Sequence, residues 1–435
     1  MLDITLLREH PQHVQRALAK RALHIDLAPF LALDEKYRRG TTEVERLRAE
    51  RRRISREIAR QDRADPDATA RRAEATELGV RLAALEARLA LLAAERQVFL
   101  DQLPNLPDAD VPTGGKEQNQ VIREYGTRPA FDFEAQSHTD LARSLALIDY
   151  ERGAKLGGTG NWVYRGNGAL LEWALLNYFV ETHVRDGFEL VLPPHLLTYQ
   201  AGYTAGQFPK FAEDVFAVEQ GPDGPQRFLL PTSETALVNL HRDEVLAERE
   251  LPRKYVAYSP CYRREAGSHR AADRGTLRGH QFNKVEMFQF TRPDASDAAH
   301  QELLDRAAAL VEALGLHHRI TRLAAEDTSA SMAKTFDVEV WLPSIDAYVE
   351  VSSVSNARDY QARRGNIRYR PADGKPAHVH TLNGSGLATS RLVPALLEQH
   401  QQPDGTVTVP AVLRRWLGCE ALAPATSQWA SRVGG

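Results

Sequence analysis

Between Cys261 and Phe288 the chain reads CYRREAGSHRAADRGTLRGHQFNKVEMF, which sets Arg263, Arg264, Arg270, Arg274 and Arg278 beside Glu265, Phe282 and Glu286. A guanidinium fork makes two charge-assisted hydrogen bonds to a phosphate, an aromatic face stacks on a flat base, and a carboxylate receives an ammonium. Side chains alternate along a strand. If HQFNKVEMFQF is a strand, Phe282, Lys284, Glu286 and Phe288 share one face. Charges mixed with aromatic rings suit neither a core nor a plain solvent face. By the same parity Arg263 and Glu265 share a face of RKYVAYSPCYRRE, and antiparallel pairing would bring Arg263 to the same ligand. The residue types point to a nucleotide phosphate, a stacked base and an amine. A salt-bridged hairpin is the alternative, and residue types alone leave both open.

The elements that must hold these residues are legible in the pattern. GALLEWALLNYFVETHVRDG reads as an amphipathic helix closed by Gly187, and FELVLPP as a strand ended by Pro193 and Pro194. RKYVAYSPCYRRE and HQFNKVEMFQF read as two strands joined by a polar loop, and FDVEVWLP and AYVEVSS as two more. HQELLDRAAALVEALGL and ATSRLVPALLEQHQ read as helices packing on the sheet. Strands joined mostly by loops, without regular crossover helices, predict an antiparallel sheet and an α+β fold. There is no internal repeat and no Walker-type phosphate loop.

The first hundred residues differ. Leu33, Tyr37, Val44, Leu47, Ile54 and Ile58 step by three and four, with Gly40 and Arg51 as the missing steps. Leu78, Leu82, Leu85, Leu89 and Leu92 form a second such seam. The polar stretch QDRADPDAT between them predicts a turn, so residues 28–100 are expected as a long antiparallel helical hairpin, a coiled-coil arm. Eight arginines from Arg46 to Arg63 face only Glu50, Glu57 and Asp62. A solvated helical face is one reading. The other is a rod that touches RNA phosphates, reading charge and shape without a pocket. Prolines 104, 107 and 112 with Gly114 and Gly115 predict a linker near 103–115, giving domains 1–105 and 106–435.

The chain has 435 residues and a net charge of −3, so any nucleic-acid binding must come from a local patch. Two cysteines, Cys261 and Cys419, exclude a disulfide framework and a cysteine-rich zinc site. The start lacks a secretion signal and no apolar run is long enough to span a bilayer, so a soluble cytoplasmic protein with no membrane role is expected.

CYRREAG…RGTLRGHQFNKVE resembles motif 2 of class II aminoacyl-tRNA synthetases in the form found in seryl-tRNA synthetases. HTLNGSGLATSRLVPALLEQHQQPDGTVTVPAVLRRWLG resembles their motif 3 and tail, and LLPTSETALVNLH their serine-site segment. AKTFDVEVWLPSIDAYVEVSSVSNARDYQARR is similar to the metal and ATP segment, and GFELVLPPHLL followed by AGQFPKF looks like motif 1 and its sequel. The resemblance runs through the whole chain in order. It implies an antiparallel sheet flanked by helices, a homodimer joined through motif 1, and a two-step reaction. Serine and ATP would give seryl-adenylate and pyrophosphate, and the seryl group would pass to serine tRNA.

By resemblance, Arg263, Glu350 and Arg391 are the catalytic residues. Arg263 would hold the α-phosphate and Arg278 lie near the phosphates. Glu265 would touch the adenosine side, Phe282 and Arg391 would sandwich adenine, and Arg264, Val351 and Ser352 would complete the ATP site. Glu350 and Ser353 would hold Mg²⁺. Being three apart, they fall on opposite faces of a regular strand, so the strand must bend or end there. Glu286 would bind the serine ammonium in a pocket lined by Thr232, Ser233, Glu234 and Arg263, with Asn383 and Ser385 reaching the hydroxyl. Arg51, Arg52, Arg53, Arg56 and Arg60 on the arm would meet tRNA. His378, His380 and His400 are read as structural.

Three stretches depart from the family pattern. AEDTSA has Glu326 and Ser329 where glycines are usual, which puts local geometry in question. SHRAADRG replaces Gly-x-Asp-Thr-Arg-Gly, and Val354 stands where cysteine is common. A specialised second-copy synthetase, serving inhibitor resistance or a biosynthetic pathway, is one alternative function. An enzyme loading a carrier protein, though such relatives should lack the arm, and a non-catalytic RNA-binding paralogue are the others.

Overall fold

The structure is a computed structural model that describes residues 1–60, 66–219, 221, 224, 226–265 and 275–424. It divides into two units, one of Leu2–Ala19 and Leu23–Pro104, the other of Met1, Lys20–Ala22 and Asn105–Gly435.

The smaller unit is built on two long helices, α1 (Ala28–Ile58) and α2 (Pro66–Gln102). Their seam is the expected one: Val44, Leu47, Ile54, Leu78 and Leu82 are buried together, with Ile58, Leu85 and Leu89 packed against them. The missing steps have a packing reason. A Cβ on Gly40 would lie 2.7 Å from Leu89 Cδ2, so a larger residue would have to displace that leucine, and Arg51 crosses over Gly79. At the base, buried Asp34 pairs with Arg8, Arg38 and Arg96. The QDRADPDAT turn falls largely outside the described residues.

The larger unit is organised by an eight-stranded sheet. Its strands are β1 (Gln120–Tyr125), β2 (Glu189–Val191), β3 (Arg253–Tyr262), β4 (Gln281–Thr291), β5 (His318–Arg322), β6 (Lys334–Leu342), β7 (Ala347–Arg358) and β8 (His380–Ala388). The order is β1-β5-β6-β7-β8-β4-β3-β2, antiparallel throughout except for the β2–β3 edge pair. The expected α+β architecture of an arm followed by an antiparallel sheet is therefore present. Helices α3 (Asn167–Arg185), α4 (Glu234–Leu237), α5 (Ser296–Ala313), α6 (Tyr360–Arg364) and α7 (Thr389–Gln399) follow in chain order. Val338, Val340, Leu342 and Val354 from the central strands bury against Leu175 and Phe179 of α3, Leu303 and Val311 of α5, and Leu392 and Leu396 of α7. One expectation fails. Phe288 does not extend the ligand face of β4, because it is fully buried among Tyr255, Ala257 and Leu237.

Candidate active site

Strands β3 and β4 pair with Cys261 opposite Phe282, and beyond β3 the Arg263 amide donates to the His280 carbonyl. The antiparallel pairing thus brings Arg263 across to Phe282, with its guanidinium 5.2 Å from the ring centroid. The Arg263 Nε also donates to the Pro231 carbonyl, beside Thr232. Arg278 and Glu265 form an ion pair at 2.5 Å, and Arg264 donates to the Glu213 carbonyl. Arg270, Arg274 and most of SHRAADRG lie outside the described residues.

Next to this surface is a pocket of buried charge. Asn383 Nδ2 donates to Glu286 Oε1 at 3.0 Å, and Ser385 is the register partner of Glu286 across β4 and β8. Lys284 Nζ lies 2.5 Å from Glu286 Oε2 and donates to Thr232 Oγ1 at 2.6 Å. Burial foremost, then the Glu286 charge, pushes the Glu234 carboxyl up to about 7, against a hydrogen bond from Gln361 and the charges of Lys284 and Arg263. Thr232, Glu234, Glu286, Asn383 and Ser385 are thus gathered by the fold. The Ser233 hydroxyl is spent elsewhere, on Ser259 at 2.6 Å with both side chains fully buried. Lys284 was visible in the strand pattern but carried no role. Gln361 lay within the quoted AKTFDVEVWLPSIDAYVEVSSVSNARDYQARR segment but carried no role.

Across the sheet, Val338 pairs with Ser352 but Glu339 pairs with Glu350, leaving Val351 as an extra residue. This bulge resets the alternation. Glu350 and Ser353 then oppose Glu339 and Asp337, which share a face of β6, so the required bend is a one-residue insertion. Val351 is turned into the core, and Ser352 Oγ donates to the Ser385 carbonyl, so the ATP contacts expected of this pair are open only to their main chain. Asp337, unassigned in the sequence, is hydrogen-bonded by Ser353 and keeps a buried Oδ1 with no hydrogen-bond partner. Burial first, then Glu350, raises its carboxyl well above the ordinary range. An orphaned carboxylate oxygen beside two further oxygen donors fits a hard divalent cation such as Mg²⁺. Among the described residues no three His, Cys, Asp or Glu form a metal cluster of their own, so protein ligands alone would not cage such an ion. His400 Nε2 donates to the Leu314 carbonyl at 2.9 Å, and His380 is pushed down to about 4 by burial, as fits structural histidines.

Arg391, in the first turn of α7, donates to the Glu350 carbonyl at 2.8 Å and pairs with its carboxylate at 3.3 Å. A further residue unassigned in the sequence reading links the two sides of this surface. Glu172 of α3 accepts from Asn283 Nδ2 at 2.8 Å and from Thr389 Oγ1 at 2.5 Å. Asn283 follows Phe282, and Thr389 stands two before Arg391, so one buried carboxyl spaces both. Burial raises its pKa.

The AEDTSA departure does not strain the chain. Neither Glu326 nor Ser329 has a positive φ, so no glycine is required there. Instead, Arg21 donates to the carbonyls of Asn105, Ala325, Thr328, Ser329 and Met332, pinning the loop from beneath. Burial drives its pKa down to about 10, with Tyr360 offsetting part of the shift.

On the arm, Arg51, Arg52, Arg53, Arg56 and Arg60 are all exposed. A groove is lined by Arg48, Arg51, Arg52, Ser55, Arg56, Leu82 and Glu86. Arg53 is outside it, paired with Glu57, and Arg60 lies past the end of α1.

Comparison with known proteins agrees along the whole chain. The family model described as seryl-tRNA synthetase N-terminal domain matches residues 1–107, and that of the tRNA synthetase class II core domain (G, H, P, S and T) matches residues 216–400. A protein named serine–tRNA ligase 2 of Clostridium acetobutylicum is 52% identical over 97% of this chain and 100% of its own length. The serine–tRNA ligase of Nitratidesulfovibrio vulgaris is 44% identical over 96% of this chain and 98% of its own. The solved seryl-tRNA synthetase of Pyrococcus horikoshii, complexed with ATP, superposes with a TM-score of 0.89 at 32% identity, covering 98% of this chain and 100% of that one.

Proposed function

The chain belongs to the seryl-tRNA synthetase family, and we propose that it activates L-serine with ATP and passes the seryl group to serine tRNA. The observation that carries this reading is the buried Glu286–Lys284–Thr232–Glu234 pocket beside the Arg263–Phe282 surface. Such a pair of sites suits an amino acid and a nucleotide held side by side.

In the first step the serine carboxylate oxygen attacks the α-phosphorus, and pyrophosphate leaves. Arg263 holds the α-phosphate and stabilises charge that builds there, so catalysis is positioning and electrostatics with no covalent enzyme intermediate. Phe282 and Arg391 enclose adenine. Glu286 and Glu234 receive the ammonium. Asn383 and Ser385 meet the hydroxyl, which favours serine over alanine because an unfilled polar pocket is left unpaired. Glu350 and Ser353, backed by Asp337, would hold Mg²⁺, which supplies positive charge to the phosphate oxygens.

Residues 1–105 are the tRNA-binding domain in this reading, and 106–435 the catalytic one. Arg51, Arg52 and Arg56, gathered round the arm groove, are the foremost phosphate contacts, with Arg53 and Arg60 beside them. A homodimer is supported by large apolar side chains left in solvent: Leu170 and Trp173 of α3, with Leu190 and Leu192 at the β2 edge, are 40–74% exposed. No helix among the described residues is long and apolar enough to cross a membrane, and two free cysteines suit a reducing cytoplasm.

The test is pyrophosphate exchange with serine, threonine, alanine, cysteine or glycine, followed by charging of total tRNA. Exchange with serine alone, then charging, is the expected result. Exchange without charging would point to another acceptor, and no exchange would overturn the reading.

A further inference from the structure

Gln361 lies on α6, a five-residue helix that follows β7 and is buried on nearly every side. The residue is 1% exposed and carries no charge, so its amide must be satisfied by protein atoms. Both of its donors and its oxygen are engaged at one place. Its Nε2 donates to Glu234 Oε1 at 2.6 Å and to the Ala205 carbonyl at 3.0 Å, and its Oε1 accepts from Thr381 Oγ1 at 2.7 Å. The amide orientation is forced, because the Ala205 carbonyl can only accept. Thr381 is itself fully buried on β8, two residues before Asn383. The amide therefore ties α4, α6 and β8 together at the carboxyl of a pocket residue.

We propose that Gln361 is a positioning residue of the amino-acid pocket, holding the Glu234 carboxylate at the orientation in which it receives the substrate ammonium. The inference rests on the functional reading above. Glu234 would otherwise swing, since the other charges around it pull in different directions: Glu286 from β4 repels it, while Lys284 from β4 and Arg263 beyond β3 attract it. The Gln361 hydrogen bond favours the ionised form against burial. Gln361 is buried and reaches the pocket through Glu234, so its effect should fall on serine alone.

Serine-dependent pyrophosphate exchange by Gln361→Met tests this, with wild-type protein in parallel. Methionine keeps the volume and removes every hydrogen bond. The serine KM should rise about tenfold, the ATP KM should stay within about twofold, and the pH at which serine KM levels off should move up by about one pH unit. Gln361→Glu sets a third carboxylate against Glu234 and Glu286, so above pH 7 it should raise serine KM further; it serves also if the methionine variant fails to fold. An unchanged serine KM and pH profile in either folded variant would overturn the proposal. So would serine KM, ATP KM and melting temperature moving together, the mark of a merely structural role. Absence of exchange by the wild type would overturn the functional reading with it.

Discussion

On the arm, Arg51, Arg52 and Arg56 stand in solvent around a groove with Ser55 among them. In the sheet unit, Arg263 lies against Phe282 with its Nε on the Pro231 carbonyl, and the neighbouring charges, Lys284 and Glu286, are buried. The same residue type serves two physical regimes. Arm guanidinium groups, exposed on a groove, are screened and interchangeable, so they act by number and show as salt dependence. Arg263 is exposed too, but Phe282 and the Pro231 carbonyl hold it in one place beside buried charges, so it acts by geometry and its single loss is felt in full. One arginine of the pocket should therefore outweigh several on the arm.

The largest effect expected follows from Arg263. Arg263→Ala should lower serine-dependent pyrophosphate exchange about 10³-fold while tRNA binding is retained. A loss of under tenfold would place it with the arm arginines. Glu172 comes next, since its buried carboxyl spaces the Phe282 and Arg391 sides through Asn283 and Thr389. Glu172→Ala should cost about 10²-fold in kcat/KM for ATP, leaving serine KM nearly unchanged. Because burial favours its neutral form, Glu172→Gln should recover most of that loss; failure of glutamine to rescue would mean that the charge itself matters. A smaller effect comes from protons. The Glu234 carboxyl, raised to about 7, is neutral below that pH and cannot pair with an ammonium. Serine KM should fall about tenfold from about pH 6 to 8 while ATP KM follows no such midpoint. A flat serine profile would mean that Glu234 stays ionised throughout.

Periodicity made the arm seam readable because each step of three or four reports on one neighbouring helix. The strands, Arg263, Glu286 and Glu350 were readable because they lie in long local motifs. What stayed hidden has distant partners. Gln361 meets Glu234 across 127 positions, Thr389 meets Glu172 across 217, and Arg21 meets Met332 across 311, and no local spacing announces such contacts. Phe288 misled for a related reason. Strand parity gives a face, but only the packing of Tyr255 and Leu237 decides where the ligand surface ends and the core begins. The need for a bend between Glu350 and Ser353 followed from parity, whereas its form, an extra Val351, came from the pairing of β6 with β7.

The division between arm and pocket is tested most directly by measuring exchange and tRNA charging side by side in Arg51→Ala/Arg52→Ala/Arg56→Ala across a range of salt concentrations. The account predicts unchanged serine-dependent exchange, a higher KM for tRNA, and a log–log salt slope of tRNA binding shallower by about 2 to 3. Exchange falling together with charging, or charging with its wild-type salt slope, would contradict it.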